Sequence, residues 1–180
     1  QTLYSYFNDD PDNIRNKPEW GGGGMLDIGC YPISQARWLV GTNPDRVLAT
    51  MELDPQFRTD RFATGTLDFG DVVTTFTCST QISGYQRTNI VGTNGRFEIE
   101  IPVNAPANEA TRAWLTMGNQ TEELTFEPCD QYGLQADAFA EGVFAGGPAP
   151  TPLDDAVANM AVLDAMFESV RTDGWAVPVS

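Results

Sequence analysis

Gly21-Gly22-Gly23-Gly24-Met25-Leu26-Asp27-Ile28-Gly29-Cys30-Tyr31-Pro32 is the stretch whose reading organises the rest of the chain. Four glycines in a row permit a sharp change of direction and a close backbone approach that side chains would forbid. A strongly patterned segment follows at once, so the glycines read as a pivot and not as a linker. From Asp27 to Val40 the residues Ile28, Tyr31, Ala36, Leu39 and Val40 fall near helical spacing, and Gly41 supplies the stop. Pro32 is tolerated only in a first helical turn, which places the helix start around Gly29 to Tyr31.

Upstream, residues 3–7 read as a short strand, followed by a polar, turn-rich stretch from Asn8 to Trp20 that holds Pro11 and Pro18. Downstream, from Asp45 to Glu127, the texture is β. The runs 46–53, 62–69, 72–80, 85–92, 96–101, 111–117 and 122–127 are rich in Thr, Val, Ile and Phe. Gly70-Asp71 marks a tight turn, and Asn94-Gly95 predicts a hairpin whose two central residues take positive φ. Several of these strands carry apolar residues on both faces, as in a sheet with helices on one side and a partner on the other. Helix returns over Gln131 to Phe144, with Leu134, Ala138, Phe139 and Val143, until Gly146-Gly147-Pro148 breaks it. At Thr151-Pro152-Leu153-Asp154 a further helix begins, with Thr151 as cap, Pro152 in the first position and Asp154 closing a capping box. Val157, Met160, Leu163, Phe167 and Val170 form its expected buried face, and Gly174 ends it. Helix, then a long β run, then helices predicts an α+β fold: a large, mainly antiparallel open sheet with helices on one face.

At 180 residues, 41% of them hydrophobic, the chain fits a single globular domain over 1–180. No run approaches the ~20 apolar residues of a membrane helix. The start, Gln1-Thr2-Leu3-Tyr4, has neither an initiator Met nor a charged segment leading into an apolar one, so the chain reads as a piece of something longer. Cys30, Cys78 and Cys129 are odd in number and widely spaced. They read as free thiols of a reducing cytoplasm, not as a disulfide framework or a metal set. Histidine is absent, which removes a Ser-His-Asp triad, a His-based zinc site and a His general base together. With 25 acidic residues against 10 basic ones, the net charge is -15, and Lys17 is the only lysine. Such a charge repels nucleic acid and anionic membrane surfaces. Two explanations stay open: an ordinary acidic protein, or a halophilic one whose self-repulsion is screened by a salt-rich cytoplasm.

Asp27 and Tyr31 lie four apart and point to one side of a helix that has begun by Asp27. A carboxylate beside a phenol suits proton transfer and hydroxyl binding, provided a nearby cation lowers the phenol from its usual pKa of about 10. The alternative makes Asp27 a helix cap and Tyr31 a half-buried aromatic. Arg15 would donate to the hydroxyls of a polyol, or pair structurally with Asp12 or Glu19. Trp20 would stack on a sugar face, or sit under the loop as a surface-turn aromatic. Lys17 reads as a solvent-facing loop residue, Trp38 and Trp114 as core or interface, and Glu122-Glu123 as a solvated strand end.

The glycine segment, continued by Ile33 and by Ala36-Arg37-Trp38-Leu39-Val40-Gly41, resembles the second domain of the Gfo/Idh/MocA oxidoreductases. Asn13-Ile14-Arg15 upstream, Ile90-Val91-Gly92-Thr93-Asn94-Gly95-Arg96-Phe97, and the tail Pro152-Leu153-Asp154-Asp155-Ala156 with Asn159-Met160 and Leu163-Asp164-Ala165 are similar to further pieces in the right order. The resemblance implies a C-terminal domain like that of glyceraldehyde-3-phosphate dehydrogenase, whose open sheet forms a homo-oligomer. It also implies a partner Rossmann domain of the same parent chain that binds NAD or NADP, and a catalytic lysine on that domain. No Gly-x-Gly-x-x-Gly occurs here, and Asn16-Lys17-Pro18 only superficially echoes the family's Glu-Lys-Pro. Carried over position by position, the family's Asp is Asp27 and its His/Tyr position is Tyr31, with Arg15, Trp20, Gly23 and Gly24 around the substrate. Tyr at that position is similar to the glucose–fructose oxidoreductase, D-xylose dehydrogenase and dihydrodiol dehydrogenase branch. The implied activity is oxidation of a sugar or polyol hydroxyl, D-xylose among the candidates, by the parent enzyme in a cytoplasm, with this part alone inactive. A non-catalytic family member and a free-standing carbohydrate-binding module are the competing readings.

Overall fold

A computed structural model describes residues 1–179. The chain opens with β1 (Thr2–Phe7) and passes through two short 3-10 turns, Ile14–Asn16 and Pro18–Trp20, into a π-helical turn, Met25–Gly29, continuous with α1 (Cys30–Val40). Six strands in direct succession after β2 (Arg46–Leu53) make up the β region: β3 (Asp60–Asp68), β4 (Val73–Ser79), β5 (Gln81–Val91), β6 (Gly95–Ile99), β7 (Thr111–Met117) and β8 (Gln120–Phe126). Two helices close the chain, α2 (Gln131–Phe144) and α3 (Leu153–Thr172). All eight strands belong to one sheet, ordered β2-β3-β4-β1-β5-β6-β7-β8. The sheet is mainly antiparallel, with β1 inserted parallel to β4. By packing the chain divides into Gln1–Tyr85 with Ala156–Ser180, and Gln86–Asp155.

The first unit holds the core. Val47 and Ala49 of β2, Ala63 and Leu67 of β3, and Phe76 and Cys78 of β4 turn to one face, as a period of two requires. Met25, Ile33 and Ala36 pack on that face from the glycine segment and α1, and Val162, Leu163, Ala165 and Met166 from α3. The expected α3 stripe is therefore rotated. Leu163 is buried, but Val157 and Met160 are exposed, and Val162, Ala165, Met166 and Ser169 take their place. The helix starts at Leu153, just after Pro152. On α1 the buried positions are Pro32, Ile33, Ala36 and Arg37, while Tyr31, Leu39 and Trp38 face outward. Arg37 is held by Asn43 (Nε to Oδ1, 2.7 Å) and Asn159 (3.3 Å), and the Asn159 amide donates to the Cys30 carbonyl (3.3 Å), tying α3 to α1. Ser169 does the same for β2. It accepts the Ala49 N–H (2.9 Å) and donates to the Gly174 carbonyl (2.5 Å). The opposite sheet face of this unit is mixed, with Leu48, Phe62 and Val73 among hydroxyl side chains. Register aligns Thr50, Thr64 and Thr77 in one row and Thr66 with Thr75 in another, with Thr50 and Thr64 hydroxyls 2.8 Å apart.

The second unit alternates more strictly. One face carries the row Ile90, Phe97 and Leu115, and the other carries Glu98, Trp114 and Glu123, with the Trp114 indole donating to Glu123 at 2.8 Å. The β5–β6 hairpin falls where Asn94-Gly95 placed it, but neither residue takes positive φ. Gly95 opens β6, where a Cβ would collide with the Thr116 carbonyl, so glycine is needed there for cross-strand approach and not for the turn. α2 begins at Asp130, whose carboxylate accepts the Tyr132 N–H, and buries none of its side chains. Among the described residues no helix is long and apolar enough to cross a membrane.

Candidate functional site

Backbone closure of the segment before α1 brings its polar groups together. The Gly22 N–H donates to the Lys17 carbonyl (3.0 Å) and the Gly23 N–H to the Arg15 carbonyl (2.9 Å), folding the two 3-10 turns back on the glycines. A Cβ on Gly22 would press within 2.6 Å of the Arg15 carbonyl oxygen, so the closure depends on glycine at that position. Arg15 is thereby delivered to Asp27. Its Nε donates to Asp27 Oδ1 at 2.8 Å, so the guanidinium pairs with neither Asp12 nor Glu19.

Asp27 has a second partner that sequence reasoning missed. Tyr6, on β1, donates its phenol to Asp27 Oδ2 at 2.5 Å. Burial, then the hydrogen bond to Asp27 and that carboxylate's charge, push the Tyr6 phenol well above the usual tyrosine range. Tyr6 therefore stays protonated and acts as a fixed donor that orients Asp27. Alternation along β1 supplied a signal, since Tyr4 and Tyr6 share the helix-covered face and Tyr4 donates to Gln35 of α1 at 2.7 Å. Asp27 keeps 20% side-chain exposure, and each oxygen retains acceptor capacity for a ligand hydroxyl. Tyr31 follows on the first turn of α1, partly exposed and near enough for its charge to act on Arg15. Asp27, Arg15 and Tyr6 thus form one group, and Tyr31 follows four residues after Asp27. Trp20 lies outside it, exposed, with the Lys17 ammonium 4.6 Å from its ring centroid.

Asp27 is not the helix cap. The helical segment begins at Gly24, which has no side chain to cap with, and the acceptor comes from β3. Asp60 Oδ2 accepts the Met25 N–H at 2.6 Å, and the Gly24 amide lies close enough to draw the carboxyl down. These are amides that a helix start leaves without an intrahelical partner. Asp60 is only 5% exposed. Burial raises its carboxyl to about 6 against the pull of the backbone donors Met25, Asp60 and Gly24. A carboxyl raised on folding contributes stability that is complete below its unfolded pKa, near 3.8, and is lost as the pH rises through about 6. The stability of wild type relative to Asp60→Asn should therefore fall by up to about 3 kcal/mol between pH 4 and pH 7. Urea unfolding of both proteins across that range checks it, and a difference independent of pH contradicts it.

Cys30 donates its thiol to the Asp27 carbonyl at 3.5 Å. Burial raises Cys78 far above the ordinary thiol range and also raises Cys30, while Cys129 is exposed. Among the described residues no cluster of three or more His, Cys, Asp or Glu side chains is placed to hold a metal ion.

Residues 1–98 match the sequence model of the GFO/IDH/MocA C-terminal domain. An uncharacterised oxidoreductase of Rhizobium meliloti, ORF334, is 33% identical over 181 residues, covering 97% of this chain and 54% of that protein. The D-xylose 1-dehydrogenase (NADP+) 2 of Haloferax volcanii is 33% identical over 166 residues, covering 91% of this chain and 50% of that protein. Among solved structures, the 3-ketoreductase KijD10 of Actinomadura kijaniata, in complex with NADP and TDP-benzene, shares the fold. Its TM-score is 0.83 at 22% identity, covering 93% of this chain and 53% of that one. The chain spans about half the length of the curated relatives it matches.

Proposed function

This chain belongs to the GFO/IDH/MocA family through its C-terminal domain, and on that premise we propose that it is the substrate-binding part of an NAD(P)-dependent oxidoreductase acting on a sugar or polyol hydroxyl. The observation that carries the reading is the accessible Asp27 carboxylate, fixed from two sides by Tyr6 and Arg15, with Tyr31 four residues further along the same helical run. In this reading Asp27 accepts a hydrogen bond from the substrate hydroxyl and orients it, and Tyr31 takes the hydroxyl proton as the phenolate that a lysine cation of the parent's Rossmann domain would favour. Arg15 holds the Asp27 charge in place, while Gly23 and Gly24, read from the sequence as substrate neighbours, are buried against Asp60 and serve the packing of the segment instead.

This chain's residues do not fit the nucleotide itself. Its glycine run packs on Arg15, Lys17 and Asp60, leaving no cradle for a pyrophosphate, and the dinucleotide fingerprint is absent from the sequence. We assign cofactor binding to a Rossmann domain of the parent chain, with the cofactor as hydride acceptor and the residues above as handlers of the proton. A dehydrogenase of D-xylose or a related aldose is the reading favoured by the similarity to the Haloferax volcanii enzyme. The apolar row Ile90, Phe97 and Leu115 supports a homo-oligomer formed through the sheet.

The test is reduction of NAD+ and NADP+ by a panel of aldoses with the full-length protein. Turnover with at least one aldose is expected, and none for the 180 residues alone. No turnover with any aldose or polyol would leave the reading without support. A net charge of -15 adds a second expectation for a protein of a salt-rich cytoplasm. Screening should raise the unfolding temperature steadily from dilute buffer to molar potassium chloride. Full stability in dilute buffer would contradict it.

A further inference from the structure

We propose that Asp60, which lies on β3 and outside the glycine segment, is a positioning residue for the reaction: its buried carboxylate fixes the start of the helix that carries Asp27 and Tyr31. This rests on the functional reading above. Three observations carry it. First, the helical segment has no cap of its own, since its first residue is Gly24 and the one before it is Gly23. The Met25 amide at its start reaches the Asp60 carboxylate at 2.6 Å instead. Second, Asp60 cannot adjust. It is paired with Leu53 in the sheet, 5% exposed, and packed so closely that a Cβ on Gly23 would collide with its Oδ1. Third, the clamp lies within one turn of the reacting groups. The Asp27 N–H bonds to the Gly23 carbonyl at 3.1 Å, so a displacement at Gly23–Met25 moves Asp27 directly, and Tyr31 one turn later.

Asp60 does not reach the substrate, so its part is geometric. Cys78 of β4 and Tyr6 of β1 are the titratable groups that feel its charge, and burial raises the pKa of each. A buried carboxylate that ionises near pH 6 works against stability above that pH, where an amide of equal size would not. An amide in its place offers one acceptor oxygen and turns an NH2 group where the carboxylate has its other oxygen. Residues that violate the demands of stability cluster where function needs a fixed geometry.

The experiment compares Asp60→Asn, Asp60→Ala and Asp27→Asn in the full-length protein, in a buffer at pH 7.5 or above (about 1.5 units beyond the Asp60 midpoint). Asp60→Asn should unfold no earlier than wild type yet lose about 10- to 100-fold in kcat, the usual effect of misplacing a reacting group by about 1 Å. The KM for the nicotinamide cofactor should stay unchanged. Asp60→Ala should lose more, and if it does not fold, Asp60→Asn alone decides. Amide hydrogen exchange at Gly24 and Met25 should accelerate in Asp60→Asn, a readout independent of turnover. Wild-type kcat in Asp60→Asn, with turnover abolished in Asp27→Asn, overturns the assignment of Asp60 and leaves the functional reading standing. A change in unfolding temperature with kcat untouched overturns it equally, because that is what a merely structural residue would do. Full turnover in Asp27→Asn overturns both.

Discussion

Asp27→Asn in the full-length protein is expected to lower kcat for sugar oxidation by about 10²-fold or more, the effect of misplacing a reacting hydroxyl. The amide keeps the shape of the carboxylate but turns an NH2 group towards either Tyr6 or Arg15, both of which donate to this residue. The charge that Arg15 pairs with is lost as well. Stability should barely change, because Arg15 is 44% exposed and such ion pairs contribute about 1 kcal/mol or less. Tyr31→Phe should lose turnover without loss of sugar binding, since only the proton-accepting oxygen is removed. Steady-state kinetics with thermal unfolding on both variants separates chemistry from folding. Unchanged kcat in Tyr31→Phe would remove the phenol from the proton path.

The largest effect on folding is expected from Gly23→Ala. Gly23 sits at φ 119°, where L side chains are strained, and its Cβ would strike the Asp60 carboxylate. Neither neighbour can give way, as Asp60 is held by the Met25 amide and the strand register. A loss of about 3 kcal/mol or more follows, combining backbone strain with a broken buried hydrogen bond. Gly21→Ala is the control. It also has positive φ, but the nearest atom to a new Cβ is Leu26 Cδ1 at 3.7 Å, so only the conformational cost of about 1–2 kcal/mol applies. Urea unfolding of the two variants should show that gap. Equal losses would mean that the fit between Gly23 and Asp60 is not what holds the segment.

What the sequence disclosed was local. The glycine run, Pro32 and Gly41 located α1 because each acts on its own stretch of backbone, and strand composition located the β region to within a few residues. The boundaries of α2 were read correctly for the same reason. The buried face of α3 was misread because apolar residues surround most of that helix. Val157 and Met160 compete with Val162 and Met166 on spacing alone, and only the sheet beneath decides. The same limit applies at the site. Asp27 and Arg15 were visible as candidates, 12 residues apart, but their bond to each other was not. Tyr6 and Asp60 lie 21 and 35 positions from the residues they hold, and no local pattern joins β1 or β3 to the glycine segment. The shared face of Tyr4 and Tyr6 was a signal; nothing in Thr59-Asp60-Arg61 marked a cap for a distant helix.

A structure of the full-length protein with a bound aldose tests the central claim most directly. A sugar hydroxyl is expected within about 2.6–3.2 Å of both the Asp27 carboxylate and the Tyr31 phenol, the range of a working proton transfer. A sugar bound elsewhere, with Asp27 still closed between Tyr6 and Arg15 and touching no ligand, would contradict the account.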